Sequence, residues 1–313
     1  MGKDNQDFYI GIDNGGTKCE ILAINPKEKI ISQSIYPSIH LSKAGFAETC
    51  ENIFRNIGIF IAEKNINFLN CKGIGIGIAG ARNQRDKETI RKIFLKDFNL
   101  NKVIIESDTA ISLYSVFGNN DGLILISGTG SVLYGKYKSE IYRIGGWGWK
   151  IGDEGSGYYI GKKGIEEIVN DYDWNKSTEF TQHLENKFTI DKENILRKIY
   201  NENFKIQWLA KEIIQLAQKK NVTALKIIGE AAVNLTTLLD KFVKTVKPDK
   251  RIHLAFGGSL IDNKNILSEK LISNIKKKFG NKFIIKKSED TPAFGAAKLA
   301  VVEFGKNKKV YEK

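Results

Sequence analysis

FYIGIDNGGTKCEILAI, residues 8–24, sets the architecture of this chain. Residues 8–13 form an apolar run that stops at glycines, which predicts a strand followed by a tight turn. Residues 20–24 and 30–35 supply the next two strands, and spacing that short favours antiparallel hairpin pairing. Further on, Ile53, Phe54, Ile57 and Ile61 recur at helical spacing within 47–62. A strand over 73–79, a helix over 87–98, a strand over 103–106 and a helix over 109–117 complete the series, with Asp108 at the N-terminal edge of that last helix.

The same order begins again at Asp121. Residues 123–127 read as a buried strand, SGTGS as a glycine turn, and 132–137 and 140–144 as two further strands, so the chain carries an internal structural repeat. After Gly157 the pattern turns helical. Leu225, Ile228, Ala232, Leu235, Leu239 and Phe242 alternate steps of three and four, an apolar stripe that serves core packing. A strand over 252–256 then meets FGGS, followed by a helix over 265–279, a strand over 282–286 and a helix over 293–304. The expected domains are 1–118 and 119–291, the second with a helical insertion, and the C-terminal helix 292–313 is available to complete the first. No linker is rich in Pro or Ser, so the two halves are expected to touch across a cleft.

Composition narrows the function. The chain has 313 residues, 42% hydrophobic and 27% charged, ordinary values for a globular protein with room for two domains. No apolar run is expected to reach the ~18 residues of a membrane helix, and the start MGKDNQDF lacks a secretory core, so a cytoplasmic location is expected. Cys19, Cys50 and Cys71 are too few and too widely spaced for a disulfide framework or a metal knuckle. His40, His183 and His253 are too scattered for a metal cluster. The net charge of +13 raises nucleic acid as a partner, but lysine is spread along the whole chain without a concentrated patch, so neither nucleic acid nor membrane is the expected partner.

Three glycine turns carry the chemistry. In Asp13-Asn14-Gly15-Gly16-Thr17-Lys18 the glycines free backbone N–H groups to cradle phosphate oxygens. Thr17 adds a hydroxyl, Lys18 adds charge if it points inward, and Asp13 is a hard oxygen ligand suited to Mg2+, directly or through water. Gly128, Thr129 and Gly130 repeat the arrangement, and Gly257, Gly258 and Ser259 lie between a strand and a helix, where a helix N-terminus could face phosphate or ribose. Each turn alone is an ordinary hairpin or strand end, but three such loops in two similar halves favour a nucleotide site. A fourth stretch, IGGWGWKIGDEGSGYYIG over 144–161, crowds seven glycines, Trp147, Trp149, Asp153 and Glu154 together. Flat apolar faces beside a fixed carboxylate suit a polyhydroxylated ring; the competing reading is a glycine-rich turn in which the tryptophans only pack.

Together these features resemble the acetate and sugar kinase/Hsp70/actin superfamily, and within it the N-acetylglucosamine kinase-like branch of the BadF/BadG/BcrA/BcrD ATPase family. DNGGTK matches that family's first phosphate motif, SGTGS the second, FGGS the adenosine motif, and GGWGWKIGDEGSGYYIG the branch's sugar signature. The landmarks run from Gly11 to the segment PAFGAA that begins at Pro292. The resemblance implies an α/β fold of two ribonuclease H-like (actin-like ATPase) domains around a central cleft. It implies ATP-dependent phosphorylation of an amino sugar, N-acetylglucosamine or glucosamine at the 6-hydroxyl, with ATP and Mg2+ and no macromolecular partner, a homodimer being left open.

Residue by residue, the resemblance assigns Asp108 as general base and sugar contact. Asn14, Gly15, Gly16, Thr17, Lys18, Gly128, Thr129, Gly257, Gly258 and Ser259 face ATP. Gly146, Trp147, Gly148 and Asp153 face the sugar, and Asp13 holds the Mg2+ shell. His40 stands where relatives often carry Asn, five residues before a glycine, so it is expected at the sugar with altered reach. Without the resemblance, Asp108 reads as a helix cap. The rivals are an ATPase activator of a dehydratase or reductase, which needs cysteines for an iron–sulfur cluster, and a non-catalytic sugar sensor, for whose DNA-binding helices no room precedes Phe8. All of these assignments rest on Asp13, Asp108, Thr129 and Asp153 serving one shared cavity.

Overall fold

The computed structural model describes residues 6–16, 18–81, 83–287 and 290–305. Chain contacts divide it into two units: residues up to Asn120 together with the C-terminal segment beyond Lys287, and residues Asp121–Lys287.

The first unit is built on strands β1 (Phe8–Asn14), β2 (Cys19–Ile24), β3 (Ile30–Tyr36), β4 (Cys71–Ile78) and β5 (Val103–Ser107). Their order is β3-β2-β1-β4-β5. The β1/β2 and β2/β3 pairs are antiparallel, and the β1/β4 and β4/β5 pairs are parallel. Helices α1 (Leu41–Lys64), α2 (Gln84–Phe98) and α3 (Asp108–Phe117) follow β3, β4 and β5.

Side chains in β1 and β4 alternate in a way that explains the sequence GIGIGI. Ile10, Ile12, Ile74, Ile76 and Ile78 point into a core with Ile53, Ile57 and Phe60 of α1 and Ile90 and Phe94 of α2. Each buried isoleucine contributes roughly 1.5–3 kcal/mol. On the opposite face, Gly11 and Gly75 leave space for helix α10 (Pro292–Phe304). A Cβ on Gly11 would lie 2.0 Å from the Ala293 carbonyl oxygen, and one on Gly75 would lie 1.9 Å from that of Ala296. Helix α10 answers with Ala293, Ala297 and Ala300 against Tyr9, Leu22 and Ile24. The last helix among the described residues therefore lines the first sheet.

The second unit repeats the plan with β6 (Gly122–Ser127), β7 (Ser131–Tyr137), β8 (Glu140–Gly145), β9 (Ile252–Gly257) and β10 (Phe283–Lys286), in the order β10-β9-β6-β7-β8. Again the first three strands pair antiparallel and the last two join in parallel. Helices α4 (Gly157–Asp173), α5 (Glu179–Phe188), α6 (Ile195–Tyr200), α7 (Leu209–Gln218) and α8 (Val222–Val246) lie between β8 and β9, and α9 (Ile266–Phe279) between β9 and β10. Helix α8 is long and apolar enough to cross a membrane by length and composition. Its predicted stripe, including Ile228, Ala232, Leu235, Leu239 and Phe242, is buried in the core of this unit instead.

Two sequence expectations need correction. Helix α9 begins at Ile266, as the expected span 265–279 has it, under a capping box formed by Asn265 and Ser268, so the helix N-terminus expected to face phosphate or ribose does not stand at the FGGS turn. Ser259 therefore sits in a separate turn, in which Ile261 and Asp262 N–H groups return to the Gly258 carbonyl. The cap of α3 is Ser107, whose side chain accepts from the Ala110 N–H, so Asp108 is not the cap.

Candidate active site

The carboxyl ends of parallel strands are the usual place for ligands in open α/β sheets. In the first unit, β1, β4 and β5 end together, with Asn14 opposite Ile78 and Ile78 opposite Ser107. Asp13 lies on the α10 side of β1, cross-strand from Glu20 of β2. Burial pushes the Asp13 carboxyl up to about 7, helped by the nearby charges of Asp108 and Glu20 and opposed by Lys18. Asp13 and Asp108, predicted to act together, are thus electrostatic neighbours. Asp108 is half-buried, and its Oδ1 accepts from the Thr109 N–H at 2.9 Å.

The DNGG turn is closed by a bond from the Gly15 N–H to the Lys18 carbonyl (3.0 Å), so that N–H is already used within the loop. The Asn14 side chain is buried. Its Nδ2 donates to the Ile39 carbonyl at 3.3 Å, and its Oδ1 has no partner among the described residues. Lys18 pairs with the buried Glu20 at 3.3 Å, and Gln33 donates to the other Glu20 oxygen at 2.9 Å. Gly16 is exposed beside the His40 ring. Thr17, expected to donate to phosphate, lies outside the described residues. His40 caps α1: its Nδ1 accepts from the Ser42 N–H at 3.2 Å. A Cβ on Gly16 would lie 3.5 Å from the His40 ring, which places His40 against the glycine turn.

In the second unit, the remaining predicted loops are laced to one another. The N–H groups of Gly157 and Tyr158, at the start of α4, donate to the carbonyls of Gly128 and Thr129 at 2.7 and 3.3 Å. Ser127 Oγ donates to the Gly155 carbonyl and Ser131 Oγ to the Glu154 carbonyl, at 2.9 and 2.8 Å. The FGGS turn folds over the same strand end, with the Leu260 N–H bonded to the Ser127 carbonyl at 3.1 Å. Gly258 has φ +84°, and a Cβ there would lie 2.4 Å from the Ser127 oxygen, so only glycine fits. The bracketing serines of SGTGS were visible in the sequence, but their bonds to the distant DEGS segment were not.

Asp153 is 9% exposed and adopts φ 64°. Backbone strain of this kind clusters at functional sites. Its Oδ1 accepts from the Gly148 N–H at 3.3 Å, and Oδ2 lies 2.6 Å from where a Cβ on Gly130 would stand. Asp153 thus holds the tryptophan loop beside the SGTGS turn. Gly146 has φ 69° and Gly148 φ 95°, and the Gly146 carbonyl accepts from Arg143. Trp147 and Trp149 are 65% and 54% exposed, so the loop does not bury its tryptophans in the core. Trp149 leans on Tyr158 with ring centroids 4.9 Å apart. Glu154 is exposed.

No group of three or more His, Cys, Asp or Glu side chains among the described residues is arranged to hold a metal. Mg2+ commonly uses only one or two carboxylates, with phosphate oxygens and waters completing its shell. The Asp13 carboxylate, crowded by Asp108 and Glu20, fits that mode, because a cation there relieves like-charge repulsion. The cysteines fit no such role: burial pushes Cys19 and Cys50 up to about 12 and Cys71 up to about 11, far from the thiolate form that binds metals.

Two units with one strand order, each presenting a glycine turn where its first strand ends, define an α/β protein of the ribonuclease H-like, actin-like ATPase class. A solved structure from Chromobacterium violaceum shares this fold at TM-score 0.77 and 19% identity, over 94% of this chain and 99% of that one. The chain belongs to the BadF/BadG/BcrA/BcrD ATPase family, whose profile spans residues 10–300. It is similar to the N-acetylmuramic acid/N-acetylglucosamine kinase of Clostridium acetobutylicum, with 27% identity over 94% of this chain and 98% of the relative. It is equally similar to the N-acetyl-D-glucosamine kinase of Dictyostelium discoideum, with 27% identity over 95% of this chain and 98% of the relative.

Proposed function

We propose that this protein is an ATP-dependent sugar kinase whose acceptor is an amino sugar, N-acetylglucosamine or glucosamine, phosphorylated at the 6-hydroxyl in the cytoplasm. The observation that carries the reading is Asp153, a buried and strained carboxylate fixed between the SGTGS turn and the exposed Trp147–Trp149 loop. A sugar ring needs both groups, a flat apolar face and a fixed acceptor for its hydroxyls. The family membership and the two kinase relatives support the same conclusion.

Phosphoryl transfer asks a protein mainly for positioning and charge. Asp108 takes the proton of the sugar hydroxyl. Ser107 caps α3, and of the Asp108 carboxylate Oδ1 accepts from the Thr109 N–H. Asp153, Gly146, Gly148, Trp147 and His40 orient the sugar. Gly15, Gly16, Thr17, Lys18, Gly128 and Thr129 face the phosphates, with Asn14 holding the first turn, and Gly257, Gly258 and Ser259 face the nucleoside. Asp13 would hold Mg2+, whose charge offsets that of the phosphates. No nucleic acid or membrane is expected to enter the reaction.

A coupled ADP-release assay across N-acetylglucosamine, glucosamine, N-acetylmannosamine and glucose tests the proposal. Turnover is expected with the first two and weaker with the others. No ADP release with any sugar overturns it.

A further inference from the structure

A groove of about 600 Å³ opens on the second unit, between the first turn of α4 and the outer faces of α8 and α9. Its volume lies in the ordinary range for small-molecule sites, roughly 300–1,000 Å³. Its lining residues all fall between Asp121 and Lys287, and none belongs to the glycine turns or the tryptophan loop. Leu225, Gly229 and Val233 of α8 give it an apolar strip. A Cβ on Gly229 would meet nothing within 4 Å, so the missing side chain leaves the groove open over α8.

The two sides of the groove differ in chemistry. On α9, Lys270 and Asn274 stand one turn apart and are half-buried, and neither has an ion pair or a hydrogen bond among the described residues. An ammonium that has given up part of its hydration without gaining a counter-charge favours an anion beside it. On the other side, Tyr159 of α4 donates to Glu230 Oε2 at 3.4 Å and also bonds the Asn234 side chain. Glu230 and Asn234, one turn apart on α8, offer acceptors and an amide donor that suit hydroxyl groups. Lys226, the second cation in the lining, is engaged with Glu167 at 3.2 Å. The three ammonium protons of Lys270 and the two amide protons of Asn274 match the three terminal oxygens of a phosphate ester better than the two of a carboxylate. We propose that this groove is a second ligand site, that it takes the phosphate ester of a polyhydroxylated small molecule such as a sugar phosphate, and that Lys270 and Asn274 hold the phosphate while Glu230 and Asn234 hold hydroxyls. The first turn of α4 joins the groove to the SGTGS turn. The Tyr159 N–H bonds the Ser156 cap, and the neighbouring Tyr158 and Gly157 N–H groups bond the Thr129 and Gly128 carbonyls.

Calorimetric titration of wild type, Lys270→Met and Lys270→Arg with glucose 6-phosphate, inorganic phosphate and gluconate tests the proposal. The solution contains excess ADP and N-acetylglucosamine, which fill the site proposed for catalysis. Wild type is expected to bind one equivalent of glucose 6-phosphate, with inorganic phosphate and gluconate at least severalfold weaker. A charge-assisted hydrogen bond is worth about tenfold or more in affinity, so Lys270→Met should weaken glucose 6-phosphate by that factor with an unchanged melting curve. Lys270→Arg should keep most of the affinity. No binding to wild type overturns the inference, as does equal affinity in wild type and Lys270→Met. Inorganic phosphate or gluconate binding as tightly as the ester overturns the assigned ligand class. The kinase reading fails separately: binding through Lys270 without ADP release from any sugar removes that reading and leaves this inference standing.

Discussion

Replacing Asp13 by Asn should make the protein more stable at alkaline pH, although Asp13 lies at the heart of the proposed chemistry. The carboxyl is half-buried beside Asp108 and Glu20, and its pKa rises from 3.8 to about 7. For an acid whose folded value lies above its unfolded one, the folded state binds the proton more tightly. Stability is therefore lost as pH climbs from about 4 to about 7, and the loss is complete above that range. The full shift corresponds to an upper bound of about 4 kcal/mol, of which about 2 to 3 kcal/mol develops between pH 5 and pH 8. For a unit of this size that is roughly 5–10 °C in Tm. The assay is thermal melting of wild type and Asp13→Asn from pH 5 to pH 8 in a chelating buffer, which keeps divalent cations away from the site. The gap between variant and wild type should widen steadily with pH. A constant gap across that window would refute the reasoning, because it would mean that Asp13 carries no burdened charge. Adding Mg2+ at pH 8 should narrow the gap by stabilising wild type only, since a cation offsets the repulsion that Asn lacks.

Asp108→Asn should lower kcat by about 10²–10⁴ while leaving the melting curve nearly unchanged, because Ser107 keeps the cap of α3; a large loss of stability with activity preserved would show a structural role instead. Gly75→Ala should destabilise the first unit by about 1–3 kcal/mol, since the new methyl would stand 1.9 Å from the Ala296 carbonyl oxygen, and an unchanged Tm would contradict the packing described. Gly258→Ala, at φ +84° and 2.4 Å from the Ser127 oxygen, should cost about 1–3 kcal/mol and weaken adenine-nucleotide binding measured by calorimetry more than sugar binding.

Most of the strand framework was legible in the sequence, because each strand carries a strong local signal. Residues 8–13 end in glycines and 73–79 alternate Ile with Gly, and both became strands within a residue or two of expectation. The repeat was legible for the same reason: strand, glycine turn, strand, strand is a local pattern. Helices α5, α6 and α7 were not separated, because their apolar faces pack against one another and against α4 rather than following one long stripe. At the candidate site, residue types were readable but bonds were not. Glu20 gave no sign of pairing with Lys18 and Gln33, since that contact requires knowing that three strands lie side by side. His40 was expected at the sugar; its cap on α1 and its contact with the glycine turn depend on how the irregular segment 37–40 joins β3 to α1, which no periodicity announces.

The placement of α10 has a consequence for how the molecule is made. Synthesis proceeds from the N-terminus at roughly 5–20 residues per second. The helix that lines Gly11 and Gly75 begins at Pro292, after the entire second unit. For roughly 10–40 s after α3 leaves the ribosome, at that rate, one face of the first sheet has no lining. The second unit, continuous from Asp121 to Lys287, can mature during that interval. The half born first is therefore the half finished last, and a nascent chain halted before residue 292 should offer chaperones a bare glycine-lined sheet beside an already folded neighbour.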